Sequence, residues 1–172
     1  MANCQSENPN LGIGYYYYTQ RVYKRRFLQL VSTRDSTTTT QKTTKTHQVG
    51  ISGINPETLQ QLLVQLQQFE EQHLYLQPNI NVKDLAKSFG SNSSYLSKVV
   101  NTYKQKSMSQ YINDLRIDYA ITTLQTDATF RKYTIKAIAK EIGFNTPEAF
   151  AKKFYKRTGI YPSYFVKNLD QS

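Results

Sequence analysis

TIKAIAKEIGFNTPEAFAKKFY, residues 134–155, decides the fold, because NVKDLAKSFGSNSSYLSKVV at 81–100 repeats it. At an offset of 53, Val82 meets Ile135, Leu85 meets Ile138, Ala86 meets Ala139, Lys87 meets Lys140, Phe89 meets Ile142 and Gly90 meets Gly143. Past the glycine the offset becomes 54, which pairs Leu96 with Phe150, Lys98 with Lys152 and Val100 with Phe154. A repeated supersecondary unit says more than any single motif. In each copy apolar residues recur at helical spacing, as at Val82, Leu85, Ala86 and Phe89. A glycine follows where a helix ends in a left-handed residue. The second helix opens at a polar cap, Asn92 or Ser93 in the first copy and Thr146 before Pro147 and Glu148 in the other. Helix, short glycine turn, helix is the arrangement whose second helix enters a DNA major groove.

Between the copies, SMSQYINDLRIDYAITTLQ (107–125) reads as one helix with Met108, Tyr111, Ile112, Leu115, Tyr119 and Leu124 as its buried stripe. Some eighteen residues at 1.5 Å rise make a rod of about 27 Å. Such a rod can hold two reading helices about one DNA turn apart on one face of a duplex. Arg116, near Asp114 and Asp118, reads as a structural ion-pair former. After Gly159, the aromatics Tyr161, Tyr164 and Phe165 around Pro162 predict a closing helix at 162–169 packed on the second unit.

Upstream, Asn55 with Pro56 and Glu57 signals a helix start, and Leu59, Leu62, Leu63, Leu66 and Phe69 form one stripe. Packing onto the downstream domain is the preferred reading of this helix; self-association as a homodimer through 56–72 is the other. RDSTTTTQKTTKTHQ (34–48) is low in complexity and apolar content, hence a linker. In LGIGYYYYTQRVYKRRFLQL (11–30), tyrosines precede Arg21, Lys24, Arg25 and Arg26, like the cytoplasmic flank of a membrane helix. A basic, disordered tail fits equally well. The divisions are therefore 1–50, basic and largely disordered; 51–77, an amphipathic helix; and 78–172, which holds the first unit (81–105), the linker helix (107–125), the second unit (134–158) and the closing helix.

Charge follows the same divisions. The 172 residues carry a formal net charge of +10, distributed as +5 over 1–50, −3 over 51–77 and +8 over 78–172. A basic block this size suits a polyanion, since each cation at a phosphate releases counterions. Cys4 is the lone thiol, so neither an internal disulfide nor a cysteine-based zinc site can form within one chain. His47 and His73 lie in different segments, no metal site is expected, and no cofactor motif is visible. There is no secretory signal and no stretch of about 20 apolar residues. An enzyme is not expected, because no nucleophile–base set or phosphate loop is present.

The arrangement LAKSFGSNSSYLSKVV, SQYINDLRIDYAITTL and IKAIAKEIGFNTPEAFAKKFYKRTGIYPSYF resembles the AraC/XylS DNA-binding domain over about 78–169. Gly143, Phe144, Phe150, Phe154, Gly159, Pro162 and Tyr164 are its most specific residues. YINDLRIDYA, RKYTIKAIAKEIGF and TGIYPSYF are similar to a Bacteroidetes-type subgroup whose members carry tetratricopeptide repeats and a membrane helix ahead of the domain. A membrane partner is thus implied only for a longer parent. The resemblance implies an all-α, homeodomain-like fold of two helix-turn-helix subdomains on a linker helix, preceded by a helix and a disordered segment. It implies base reading from Ser93, Ser94, Ser97 and Lys98, with Tyr95 alongside, and from Thr146, Glu148, Ala151 and Lys152. Lys104, Lys153, Lys156 and Arg157 would clamp phosphates. Gln105 departs from the family, which often has Gly there. The expected protein is a cytoplasmic transcriptional regulator, an activator, that binds adjacent major grooves of double-stranded DNA, with RNA polymerase a candidate second partner. The alternative is a membrane-surface or protein-interaction module using the same units as a scaffold.

Overall fold

The computed structural model describes residues 53–170; expectations for 1–50 lie outside them. The described residues form eight α-helices and one 3-10 turn, with no strand among them. In chain order these are α1 (Pro56–Glu71), the 3-10 turn (Leu74–Leu76), α2 (Val82–Ser88), α3 (Ser93–Lys104), α4 (Met108–Thr126), α5 (Ala128–Arg131), α6 (Ile135–Glu141), α7 (Pro147–Thr158) and α8 (Pro162–Leu169).

The repeat visible in the sequence holds residue for residue in the backbone. α2 and α6 are seven residues long and α3 and α7 twelve, at offsets of 53 and 54. Each helix is capped by a side chain at the matching position. Asn81 accepts from Lys83 N–H and Thr134 from Ala137 N–H; Asn92 accepts from Tyr95 N–H and Thr146 from Ala149 N–H. Such caps stabilise by about 1 kcal/mol each. Between Asn92 and Ser93, the capping residue is Asn92. α2 and α6 both end in a Schellman turn. Gly90 N–H donates to Lys87 O (3.0 Å) and Ser91 N–H to Ala86 O (2.9 Å); Gly143 N–H donates to Lys140 O (3.1 Å) and Phe144 N–H to Ala139 O (2.8 Å). The extra residue behind the change of offset lies in this second turn. Gln105 and Gly159, equivalent across the repeat, end α3 and α7 with φ of 54° and 74°. The position that favours glycine is therefore filled by glutamine in the first unit without losing the turn.

Two cores result. The first gathers Leu62, Leu66 and Phe69 of α1 with Ala86, Phe89, Leu96, Val99, Val100, Met108, Tyr111 and Ile112. Of the expected stripe of α1, Leu62, Leu66 and Phe69 are buried in this core and Leu59 and Leu63 pack against it half-buried, while Val64 is exposed at 43 %. The second core gathers Ile117, Ala120, Leu124, Ile138, Ala139, Ile142, Phe150, Phe154, Ile160 and Phe165. Of the closing aromatics, Phe165 is fully buried, whereas Tyr161 stays exposed and stacks on Tyr155 at 4.7 Å.

The linker helix departs from its expected stripe. Leu115 and Tyr119 are half-buried, while Ile117 and Ala120 are buried. Counted at 3.6 residues per turn, Met108, Tyr111 and Ile112 lie on nearly the opposite side of α4 from Ile117, Ala120 and Leu124. The helix serves one core with its first half and the other with its second. α5 was not foreseen; Asp127 caps it, and Arg131 ties it to Leu124 O (2.9 Å) and to Asp170 (3.1 Å).

Gly90 and Gly143 have φ of 68° and 84°, where an L side chain costs about 1–3 kcal/mol. Their surroundings differ. A Cβ on Gly90 would touch the flexible end of Gln61, whereas one on Gly143 would be driven into the Leu76 carbonyl. Gly143→Ala is therefore expected to lower the urea unfolding free energy by more than Gly90→Ala, whose loss should stay near the strain of a left-handed residue. Equal losses would remove the Leu76 contact from the account.

Candidate nucleic-acid interface

The thirteen residues expected to meet DNA separate once placed on α3 and α7. Ser94 and Lys98 sit one turn apart on the exposed side of α3, and Glu148 and Lys152 occupy the same positions on α7. Ser93 is exposed at the start of α3, and Tyr95, Ser97 and Ala151 are half-buried at the flanks. Thr146 is exposed, and its hydroxyl oxygen accepts from Ala149 N–H (3.2 Å). Lys156 continues the exposed side of α7. Neither Lys152 nor Lys156 has a hydrogen-bond or ion-pair partner among the described residues.

Lys104, Lys153 and Arg157 point elsewhere. Lys104 takes the position equivalent to buried Thr158, on the inner side of its helix. Its Nζ is 2.7 Å from Glu70 Oε1 on α1 and 5.5 Å from the Tyr111 ring centre. Lys153 is half-buried over a cleft shared with Ser109, Asn113, Arg116 and Asn145. Arg157 donates from Nε and Nη2 to Asp118 of α4 (3.0 and 2.9 Å). These hydrogen bonds push its pKa above the ordinary value against the opposing effect of partial burial.

Arg116 is structural, but not through the carboxylates expected of it. Asp118 pairs with Arg157 and Asp114 with Lys106 (2.6 Å). Arg116 is 7 % exposed; its Nε donates to Tyr75 O (2.7 Å), its Nη2 to Gln77 O (2.6 Å), and its guanidinium lies 5.5 Å from the Phe144 ring centre. Burial pulls its pKa down from the ordinary value. Carbonyls 39 and 41 residues away leave no mark beside Arg116 in the sequence.

One matched feature was overlooked. Lys83 and Lys136, related by the offset of 53, are both exposed at the second position of α2 and α6, and Lys87 and Lys140 repeat one turn later. The alignment that paired the first helices already contained them. Among the described residues no cluster of three or more His, Cys, Asp or Glu side chains could hold a metal, and no helix is long and apolar enough to cross a membrane.

Residues 85–168 match the family model described as a helix-turn-helix domain. The chain is 33 % identical over 90 residues to the transcriptional regulatory protein YesN of Bacillus subtilis, a match covering 51 % of this chain and 24 % of that one. Its fold matches a transcriptional regulator of Chromobacterium violaceum described as having an AraC-type DNA-binding domain. That likeness has a TM-score of 0.54 and 20 % identity, over 68 % of this chain and 98 % of the other. This stretch is a helix-turn-helix domain, and its fold is AraC-type. The AraC-type fold is also that of the DNA-binding domain of the global transcriptional factor AdpA, solved with a target DNA (TM-score 0.55, 19 % identity, 64 % of this chain and 93 % of the other). The chain spans between about a quarter and about half the length of the curated relatives it matches.

Two buried tyrosines of the first core, Tyr111 and Tyr75, have raised pKa values. Tyr111 donates its hydroxyl to Glu70 Oε1 (2.5 Å), and burial first, then this bond, pushes its pKa well above the ordinary tyrosine value. Tyr75 is raised too, chiefly by burial. An unfolded tyrosine ionises near pH 10, so the stability these residues contribute is complete below that pH and is lost as pH climbs past it. The urea midpoint should fall between about pH 9 and 11, and less steeply in Tyr111→Phe. Parallel curves for the two proteins would show that Tyr111 stays uncoupled.

Proposed function

We propose that this chain is the DNA-binding part of a transcriptional regulator and reads two adjacent major grooves of one duplex with α3 and α7. The observation that carries the reading is the matched exposed face: Ser94 and Lys98 on one helix, Glu148 and Lys152 on the other, at identical positions in two repeats joined by one helix. α4 has 19 residues, about 28 Å at 1.5 Å per residue, close to the 34 Å of one DNA turn. The solved AdpA complex supports double-stranded DNA as the partner.

Within this reading the lysines divide by role. Lys98 and Lys152 reach base edges or the phosphates beside them. Lys156, with Lys83, Lys87, Lys136 and Lys140 of the first helices, faces phosphates, as the first helix of such a unit crosses the backbone. Serine, alanine and glutamate at the remaining reading positions make few bidentate contacts, so DNA shape supplies part of the specificity.

Selection from random duplexes with the full chain tests the reading, an enriched two-part site being the expected result. On that site Lys98→Ala and Lys152→Ala should each cost about 1–3 kcal/mol of affinity with the melting temperature unchanged. Lys104→Ala, whose ammonium is held by Glu70, should cost less than about 1 kcal/mol. Affinity should also fall steeply with salt, by close to one power of concentration per phosphate neutralised. No enriched site, or wild-type affinity in both reading-helix variants, would overturn the assignment.

A further inference from the structure

Two units joined by one helix are set relative to one another by their packing on it and by contacts beside it. Several of the contacts that cross between the units converge on the turn Gly143–Asn145, which launches α7. The Leu76 carbonyl lies where a Gly143 Cβ would be. Asn145 Nδ2 donates to Asn79 Oδ1 (2.9 Å). Arg116 binds the Tyr75 and Gln77 carbonyls and faces Phe144. Leu76 packs against both cores, as does Tyr119.

The same stretch of chain reaches the other turn. Gln61 Nε2 donates to Phe89 O (3.1 Å) and lies 3.0 Å from where a Gly90 Cβ would be. The chain from Gln61 to Asn79 thus touches the turn glycine of each unit, although it belongs to neither repeat. Its far end is clamped by a single buried cation, and a buried guanidinium that lost these carbonyls would be left unsatisfied.

We propose that Arg116 is a positioning residue: by clamping the Tyr75–Gln77 segment against the second turn, it fixes the relative setting of α3 and α7 and so selects the spacing between the two halves of the DNA site. This inference rests on the two-groove reading for its DNA consequence, but not for its geometric one. Arg116 does not lie on the exposed face of either reading helix. Its removal should therefore leave each helix able to bind while loosening the distance between them. Simultaneous engagement gains affinity only where the span matches, so a looser span flattens the preference for one spacing.

The geometric test needs no DNA. Spin labels at Thr102→Cys on α3 and Ala137→Cys on α6, both exposed, in a Cys4→Ser background, report the distance between the units. A narrow distribution is expected in the full chain, and a broadened or shifted one with Arg116→Met, at unchanged helical content by circular dichroism. Arg116→Lys, which keeps the charge but cannot span both carbonyls, should give a smaller change of the same kind and serves if Arg116→Met does not fold. An unchanged distribution in the folded variants overturns the proposal. The DNA test compares the selected site with versions two base pairs longer and shorter. Wild type should prefer its own spacing by about tenfold, and Arg116→Met by less than about threefold, with binding to a single half-site retained. A variant that keeps the full preference overturns the proposal. A wild type indifferent to spacing overturns the two-groove reading together with the DNA consequence of Arg116, while the label distances still decide its geometric role.

Discussion

The linker helix is buried on opposite sides in its two halves, and the rest of the structure follows from that. Met108, Tyr111 and Ile112 fill the first core, and Ile117, Ala120 and Leu124 fill the second. Each large apolar side chain so buried stabilises by about 1.5–3 kcal/mol, which puts several such contributions on either end of one helix. Neither unit can lose α4 without opening its core. The second core also depends on α8, whose Phe165 meets Phe154 at 5.6 Å, as the first depends on α1, whose Phe69 meets Phe89 at 6.3 Å. Two short helices alone enclose too little apolar surface; each pair is completed by half of α4 and by one helix from outside the repeat.

This arrangement explains what the sequence revealed and what it concealed. Signals that act over three or four residues were legible. The caps at Asn55 and Thr146 and the left-handed glycines Gly90 and Gly143 stand where local chemistry puts them. The apolar stripe of α1 was readable because it faces one core only. The stripe of α4 was not, because a helix buried on both sides has no single face for a periodicity to mark. Leu115 and Tyr119 looked like core by spacing, yet they fall where the buried side changes over.

Long-range polar contacts were beyond sequence reasoning for a related reason. Asp114 and Asp118 flank Arg116 in the sequence, yet a spacing of two residues turns each of them away from it on a helix. Each instead finds its partner elsewhere: Lys106, the Tyr75 and Gln77 carbonyls, and Arg157. Spacing reports which side chains share a helix face, not what the fold lays against it. The turn Leu74–Leu76 shows the same limit, since its importance comes from Gly143 lying 67 residues further on.

The candidate interface was legible as a face and less so as a list. Repetition singles out Lys98 and Lys152, because a lysine recurs at the same offset on the exposed side of both second helices. Net charge, by contrast, counts Lys104 and Arg157 equally with Lys152, although Glu70 and Asp118 already hold them. Exposed pairs of this kind contribute about 0–1 kcal/mol, so a phosphate could draw either cation away at small cost. What separates the two groups is direction. On the two-groove proposal an exposed cation on the outer side of α3 or α7 is set to meet DNA, whereas Lys104 and Arg157, turned toward α1 and α4, must first exchange a carboxylate for a phosphate. The matched lysines, rather than the basic total, therefore carry the functional argument.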